Sequence, residues 1–124
     1  MLETIRGPLS EICEAVPGAF AASIIAADGV PVDTVEAQSA DGELDISSLL
    51  IEYSALLGQV RSSAQMFAAG DLEELSISSA NLTTIIRPLS LEFFVALALA
   101  PGANFGKGRY LLRLKADELR AALA

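Results

Sequence analysis

The segment richest in chemical potential is Gly102-Ala103-Asn104-Phe105-Gly106-Lys107-Gly108-Arg109. Glycines and two cations follow an apolar run and open a helical pattern. A phosphate-binding loop would place backbone N–H groups and a helix N-terminus at such a junction. The spacing fails the nucleotide test. Three residues separate Gly102 from Gly106 where a Walker A loop has four, and Gly108 stands where a Ser or Thr would hold magnesium. The segment reads instead as a flexible strand-to-helix corner with Lys107 and Arg109 in solvent. With Arg113 and Lys115 these hold half of the chain's eight positive charges. In a protein of net charge −8 such a concentration can steer an acidic partner.

Other reactive residue types are scarce. The chain has no His, hence no imidazole base, no Ser-His dyad and no imidazole metal ligand. Cys13 is the only cysteine. It can form neither an internal disulfide nor a thiolate zinc site, and it reads as a small buried hydrophobe on a helix, in keeping with a reducing compartment. Asp41, Glu43 and Asp45 alternate near a helix start, but the later glutamate of a calcium loop is missing. Their expected role is favourable charge at the helix N-terminus. Glu73 and Glu74 point to opposite faces of an expected strand and cannot share a site. No catalytic, cofactor-binding or metal-ligating residue is assigned, and the expectation is a protein that is not an enzyme. The acidic balance also disfavours nonspecific nucleic-acid binding and anionic membrane surfaces. The longest apolar runs, Ala19–Ala27 and Phe93–Ala100, fall far short of the ~18 residues of a membrane span. The N-terminus lacks the basic flank and apolar core of a secretory signal. A single cytoplasmic domain over 1–124 is expected.

The element pattern is α-β-β-α-β-β-β-α, an α+β sandwich. Leu2, Ile5, Leu9, Ile12, Cys13 and Val16 recur at helical spacing, with a firm helix expected to begin at Pro8 as its first residue. Ala19–Ala27 is apolar without alternation, as a strand covered on both faces would be. Asp28-Gly29 signals a hairpin into Val30–Ala37, where Pro31 demands a sheet edge. A long helix from Asp45 to about Ala69 follows, with Gly70 as its cap. Its core face is expected to carry Ile46, Leu49, Leu50, Tyr53, Leu56, Leu57, Val60, Ala64 and Phe67. Three strands (Leu72–Ser79, Leu82–Leu89, Glu92–Ala100) and a helix capped by Asn104 complete the chain, the last helix burying Leu112, Ala116, Leu119 and Leu123. The doubly apolar first and fifth strands belong in the middle, and the Pro31 strand and the Ser-rich third strand at the edges. Hairpin connections then give a five-stranded antiparallel sheet of order 2-1-5-4-3. The long helix lies on one face and the terminal helices on the other.

Two features suggest a partner. The third strand alternates Leu75 and Ile77 with Ser76 and Ser78, so its edge is open and neither charged nor bulged. A second seam on the long helix, Ser47, Ile51, Ser54, Gly58, Arg61 and Gln65, carries small residues that would let another backbone approach. An ordinary solvated flank is the alternative.

Several local phrases stand out: Val16-Pro17-Gly18-Ala19, Asp28-Gly29-Val30-Pro31-Val32-Asp33, Tyr53, Ser76-Ile77-Ser78, Ile85-Ile86-Arg87-Pro88 and the Phe93–Leu99 strand. With the element order, they resemble the bacterial branch of the Roadblock/LC7 family, the branch with mutual-gliding B type GTPase regulators. The resemblance spans nearly the whole chain. It implies a profilin-like fold and dimers in which long helices pack together and third strands join two sheets into one of ten strands. It further implies a non-catalytic partner of a small Ras-like GTPase, acting as activator, exchange platform or scaffold. The family has no fixed catalytic motif, so none carries over, and neither Arg61 nor Arg87 is assigned as an arginine finger. A structural dimerisation adaptor in a motility, polarity or transport assembly is the second reading. A small-molecule sensor is the third, Ser23 being the only polar residue of the first central strand.

Overall fold

The computed structural model describes residues 2–38 and 42–124. Asp41, grouped above with Glu43 and Asp45, lies outside them. The elements are α1 (Leu2–Ala15), β1 (Ala19–Ala26), β2 (Pro31–Glu36), α2 (Ile46–Met66), β3 (Leu75–Ser79), β4 (Leu82–Pro88), β5 (Phe93–Leu99) and α3 (Phe105–Leu123). All strand pairings are antiparallel and the sheet order is β2-β1-β5-β4-β3, as the apolar runs require. The strand with Pro31 and the strand with the serines occupy the two edges.

The sheet divides two layers. Ile5, Leu9, Ile12 and Val16 of the α1 segment and Leu112, Ala116 and Leu119 of α3 pack with Ile24, Ile85, Val95, Leu97 and Leu99 on one face. The other face is covered by α2, through Leu50 and Leu57 with Ile25, Ile86, Phe94 and Ala96. The alternation along β5 assigns Val95, Leu97 and Leu99 to the first layer and Phe94, Ala96 and Ala98 to the second. Burial on both sides explains its unbroken apolar run.

Helix α1 departs from expectation: it runs unbroken through Pro8. Pro8 costs one backbone donor, but the steric conflict that proline imposes on its predecessor falls on Gly7, which has no Cβ to clash. Ile5, Leu9 and Ile12, none of them exposed, bind both halves of the helix to one core. Glu73 and Glu74 also differ, since β3 begins only at Leu75. The Glu73 carbonyl instead accepts from Arg87 Nη1, and the Glu74 carboxylate pairs with Arg109.

The end of α2 differs by three residues. The helix is capped at Phe67, and the residue that turns left-handed is Ala68, at φ 58°. The Ala68 N–H bonds the Gln65 carbonyl and the Ala69 N–H bonds that of Ala64, the paired pattern of a Schellman ending. Gly70 also has positive φ but lies beyond this motif. Alanine in the left-handed region is strained by about 1–2 kcal/mol, part of which glycine gives back as unfolded-state entropy. Ala68→Gly is therefore expected to stabilise the fold by about 0.5–1 kcal/mol, seen as a rise of a few degrees in the thermal midpoint. An unchanged or lower midpoint would mean that the left-handed turn carries no strain.

Candidate interaction surface

Helix α2 is held at its start by Asp45, whose carboxylate accepts from the Ser48 N–H (3.1 Å) and hydroxyl (2.7 Å). These bonds, the hydroxyl's first, keep the Asp45 carboxyl below its ordinary range. The buried line of the helix is Leu50, Ser54 and Leu57. The apolar stripe in the sequence is rotated from this line, so part of it is left outside. Leu49, Tyr53 and Val60 are half-buried, Leu56 is 40 % exposed and Phe67 is 79 % exposed. Placing Leu56 and Phe67 on the core face was thus incorrect. A helix on one face of a sheet buries a narrower arc than the stripe offers.

What is left outside has a pattern of its own. Leu49, Tyr53, Leu56, Val60, Ser63 and Phe67 follow one another at alternating four- and three-residue steps, the spacing by which one helix packs along another. The opposite flank of α2 meets the β1–β2 turn through Ile51 and Ser54, and Tyr53, like Leu72 and Leu75, packs against the core beneath α2, so this seam borders the β3 side of the molecule. Met66 is a further exposed apolar residue of α2, at 75 %.

The residues singled out from sequence fall in different environments. Ser47 is exposed and Ile51 is 47 % exposed. Ser54 is buried beneath the β1–β2 turn, where a Cβ on Gly29 would come within 3.1 Å of its hydroxyl oxygen. The backbone that its small size admits is the chain's own. Gly58 faces open space. Arg61 donates to the carbonyls of Ser90 and Leu91, tying α2 to the β4–β5 turn. Gln65 donates to Asp71. This flank thus looks toward the turns, away from the Leu49–Phe67 seam. On β3, Ser76 and Ser78 are exposed and Leu75 and Ile77 half-buried. Ser78 pairs with Thr83 across the hairpin, which leaves the outer edge of β3 without a neighbouring strand among the described residues.

The glycine-rich corner is built into the fold. Asn104 caps α3 by accepting from the Lys107 N–H at 3.0 Å. Gly108 is buried inside the helix, where a Cβ would lie 3.0 Å from Leu97 Cδ2. Arg109 forms a two-pronged pair with Glu74, both distances 2.7 Å, and lies over the Phe105 ring. Lys115 pairs with Glu11 and Glu118. Of the four clustered cations, Lys107 and Arg113 remain without an ion pair among the described residues. Cys13 is buried, and desolvation pushes its thiol pKa up. Among the described residues no cluster of acidic, Cys or His side chains is arranged to hold a metal, and no helix is long and apolar enough to cross a membrane.

No protein-family model matches the sequence, and no curated protein does. Solved structures do match. MglC from Myxococcus xanthus is 38 % identical, with 96 % of this chain and 98 % of that one covered and a TM-score of 0.68. An MglB with tetrameric arrangement is 17 % identical over 96 % of this chain and 87 % of its own, TM-score 0.83. A Roadblock/LC7 domain from Streptomyces avermitilis is 16 % identical over 94 % and 95 %, TM-score 0.78. The last two share the fold; MglC shares sequence as well, along practically the full length of both chains. The chain belongs to the bacterial Roadblock/LC7 family.

Proposed function

We propose that this protein is a non-catalytic, dimeric regulator or scaffold that binds a small Ras-like GTPase. The observation that carries the reading is the half-exposed Leu49–Phe67 seam lying on the side of an open β3 edge in a Roadblock/LC7 chain. A seam with helix-packing spacing and an unpaired strand edge are both liabilities in a monomer. A second copy related by a two-fold axis covers both at once. The tetrameric arrangement of the MglB that shares this fold supports self-association. The GTPase as partner rests on the family resemblance. The corner at Gly102–Arg109 supports a chain that binds no nucleotide itself, because its helix N-terminus is capped by Asn104 and Gly108 is spent on packing. An inserted arginine finger gains no support from Arg61 or Arg87, whose guanidinium groups are engaged with backbone carbonyls.

Calorimetry with a Ras-like GTPase from the same organism tests the proposal. The expected result is binding to the GTP-analogue form at least about tenfold tighter than to the GDP form, a difference of about 1.4 kcal/mol. Two chains per GTPase are expected, as when one GTPase straddles the two-fold axis. Equal affinity would favour a passive adaptor, since a ligand without preference shifts no equilibrium. Absence of binding to both forms would remove the GTPase reading for that pair.

A further inference from the structure

At the sheet edge opposite β3, between β2 and the first turns of α2, a groove of about 390 Å³ opens onto the sheet. Phe20, Ile25 and Leu50 form a small apolar floor, ringed by the polar side chains of Ser23, Thr34, Gln38 and Ser47. Ser23 is 2 % exposed, and its hydroxyl is already bonded to that of Thr34 at 2.8 Å. Among the described residues, every charged one that lines the groove is acidic: Glu36 at the end of β2, Glu43 ahead of α2, and Asp45 at the helix cap. None of the three has an ion-pair partner among the described residues.

The combination is selective. An anionic ligand would be repelled by the rim, and a purely apolar one would take water from carboxylates without compensating them. The size suits one or two side chains within the range of small concave sites and is too small for a whole helix. Strand addition at the adjacent edge is disfavoured, because Pro31 has no N–H and the Thr34 N–H is held by the Asp33 carboxylate at 2.9 Å. An occupant is therefore expected over the sheet face. We propose that this groove docks a short linear segment of a partner protein, with an apolar side chain on the floor and flanking Lys or Arg at the Glu36–Glu43–Asp45 rim. The rim sets selectivity and association rate, and the floor supplies burial.

The test uses an acetylated, amidated heptapeptide of alternating lysine and leucine, titrated into the labelled full chain and followed by amide NMR shifts. Shifts are expected at Ser23, Thr34, Glu36 and Ile46 through Leu50, with none from the matching glutamate–leucine peptide. Glu36→Lys combined with Glu43→Lys should weaken binding at least tenfold. Glu3→Lys combined with Glu14→Lys makes the same change in net charge on α1 and should leave affinity within twofold. If the groove pair fails to fold by circular dichroism, Glu36→Gln with Glu43→Gln replaces it, with at least a threefold loss expected. Equal losses in the groove and α1 pairs would reduce the effect to bulk charge and overturn the proposal. So would shifts centred on α3 or on β3, or no binding. No GTPase enters the experiment, so its outcome is separate from that of the GTPase reading.

Discussion

Leu56→Arg is expected to give a folded monomer, while the unaltered chain sediments as a dimer at micromolar concentration. Leu56 lies in the Leu49–Phe67 seam and is 40 % exposed in the single chain. If the seam meets its two-fold mate, each change counts twice. Losing the burial of the exposed two-fifths of Leu56 in both copies costs about 1–2 kcal/mol, and desolvation of two guanidinium groups adds several kcal/mol more. That corresponds to more than about a hundredfold in dissociation constant. The fold should be indifferent, because the side chain reaches solvent in the monomer. Gly58→Leu distinguishes this seam from the flank singled out by sequence. Its Cβ faces open space on the turn side, so the variant should remain dimeric. A monomeric Gly58→Leu alongside a dimeric Leu56→Arg would transfer the interface to the Ile51–Gln65 flank. Sedimentation velocity reads both outcomes directly.

That contrast shows how far the residues alone carried the fold. Sheet order was legible because each strand's apolar pattern reports how many of its faces are covered, and because Pro31 cannot sit in a central ladder. The direction in which α2 faces was not legible. Its apolar stripe is wide enough for a sheet and a partner together, and periodicity reports the stripe's centre without saying which part of it the sheet takes. Ser54 looked like a gap left for a stranger and proved to be room for Gly29, twenty-five positions earlier in the chain. Proline usually interrupts a helix; the relief at Gly7 is local, but the anchoring of Ile5 that holds the first turn in place comes from tertiary packing, which spacing does not report. The acidic groove was beyond reach for another reason. Glu36, Glu43 and Phe20 come from different elements, and nothing in their spacing announces that the fold brings them to one concavity.

Gly108→Leu should be among the most damaging single changes in the chain, and the reason lies in α3 and not in any phosphate chemistry. A Cβ at this position would meet Leu97 Cδ2 at 3.0 Å, Ile85 Cδ1 at 3.4 Å and Leu99 Cδ1 at 3.5 Å. Those three side chains are each no more than 1 % exposed, so they have no solvent to retreat into. Alanine would ask for a shift of a few tenths of an ångström, which its better helix propensity offsets by about 0.8–1 kcal/mol. Leucine adds three more carbons to a filled layer. Overpacking of this kind costs about 1–3 kcal/mol and occasionally more; with α3 wedged off the sheet, the upper end, about 3 kcal/mol, is expected. The thermal midpoint should fall by roughly 10 °C. Gly58→Leu is the internal control, since it makes the same substitution inside a helix where nothing among the described residues lies within 4 Å of the new Cβ. It should gain about 0.8 kcal/mol from propensity. If Gly108→Leu melts with Gly58→Leu instead of far below it, α3 is not seated on the sheet at this glycine, and the corner would again be open to a role as a loop.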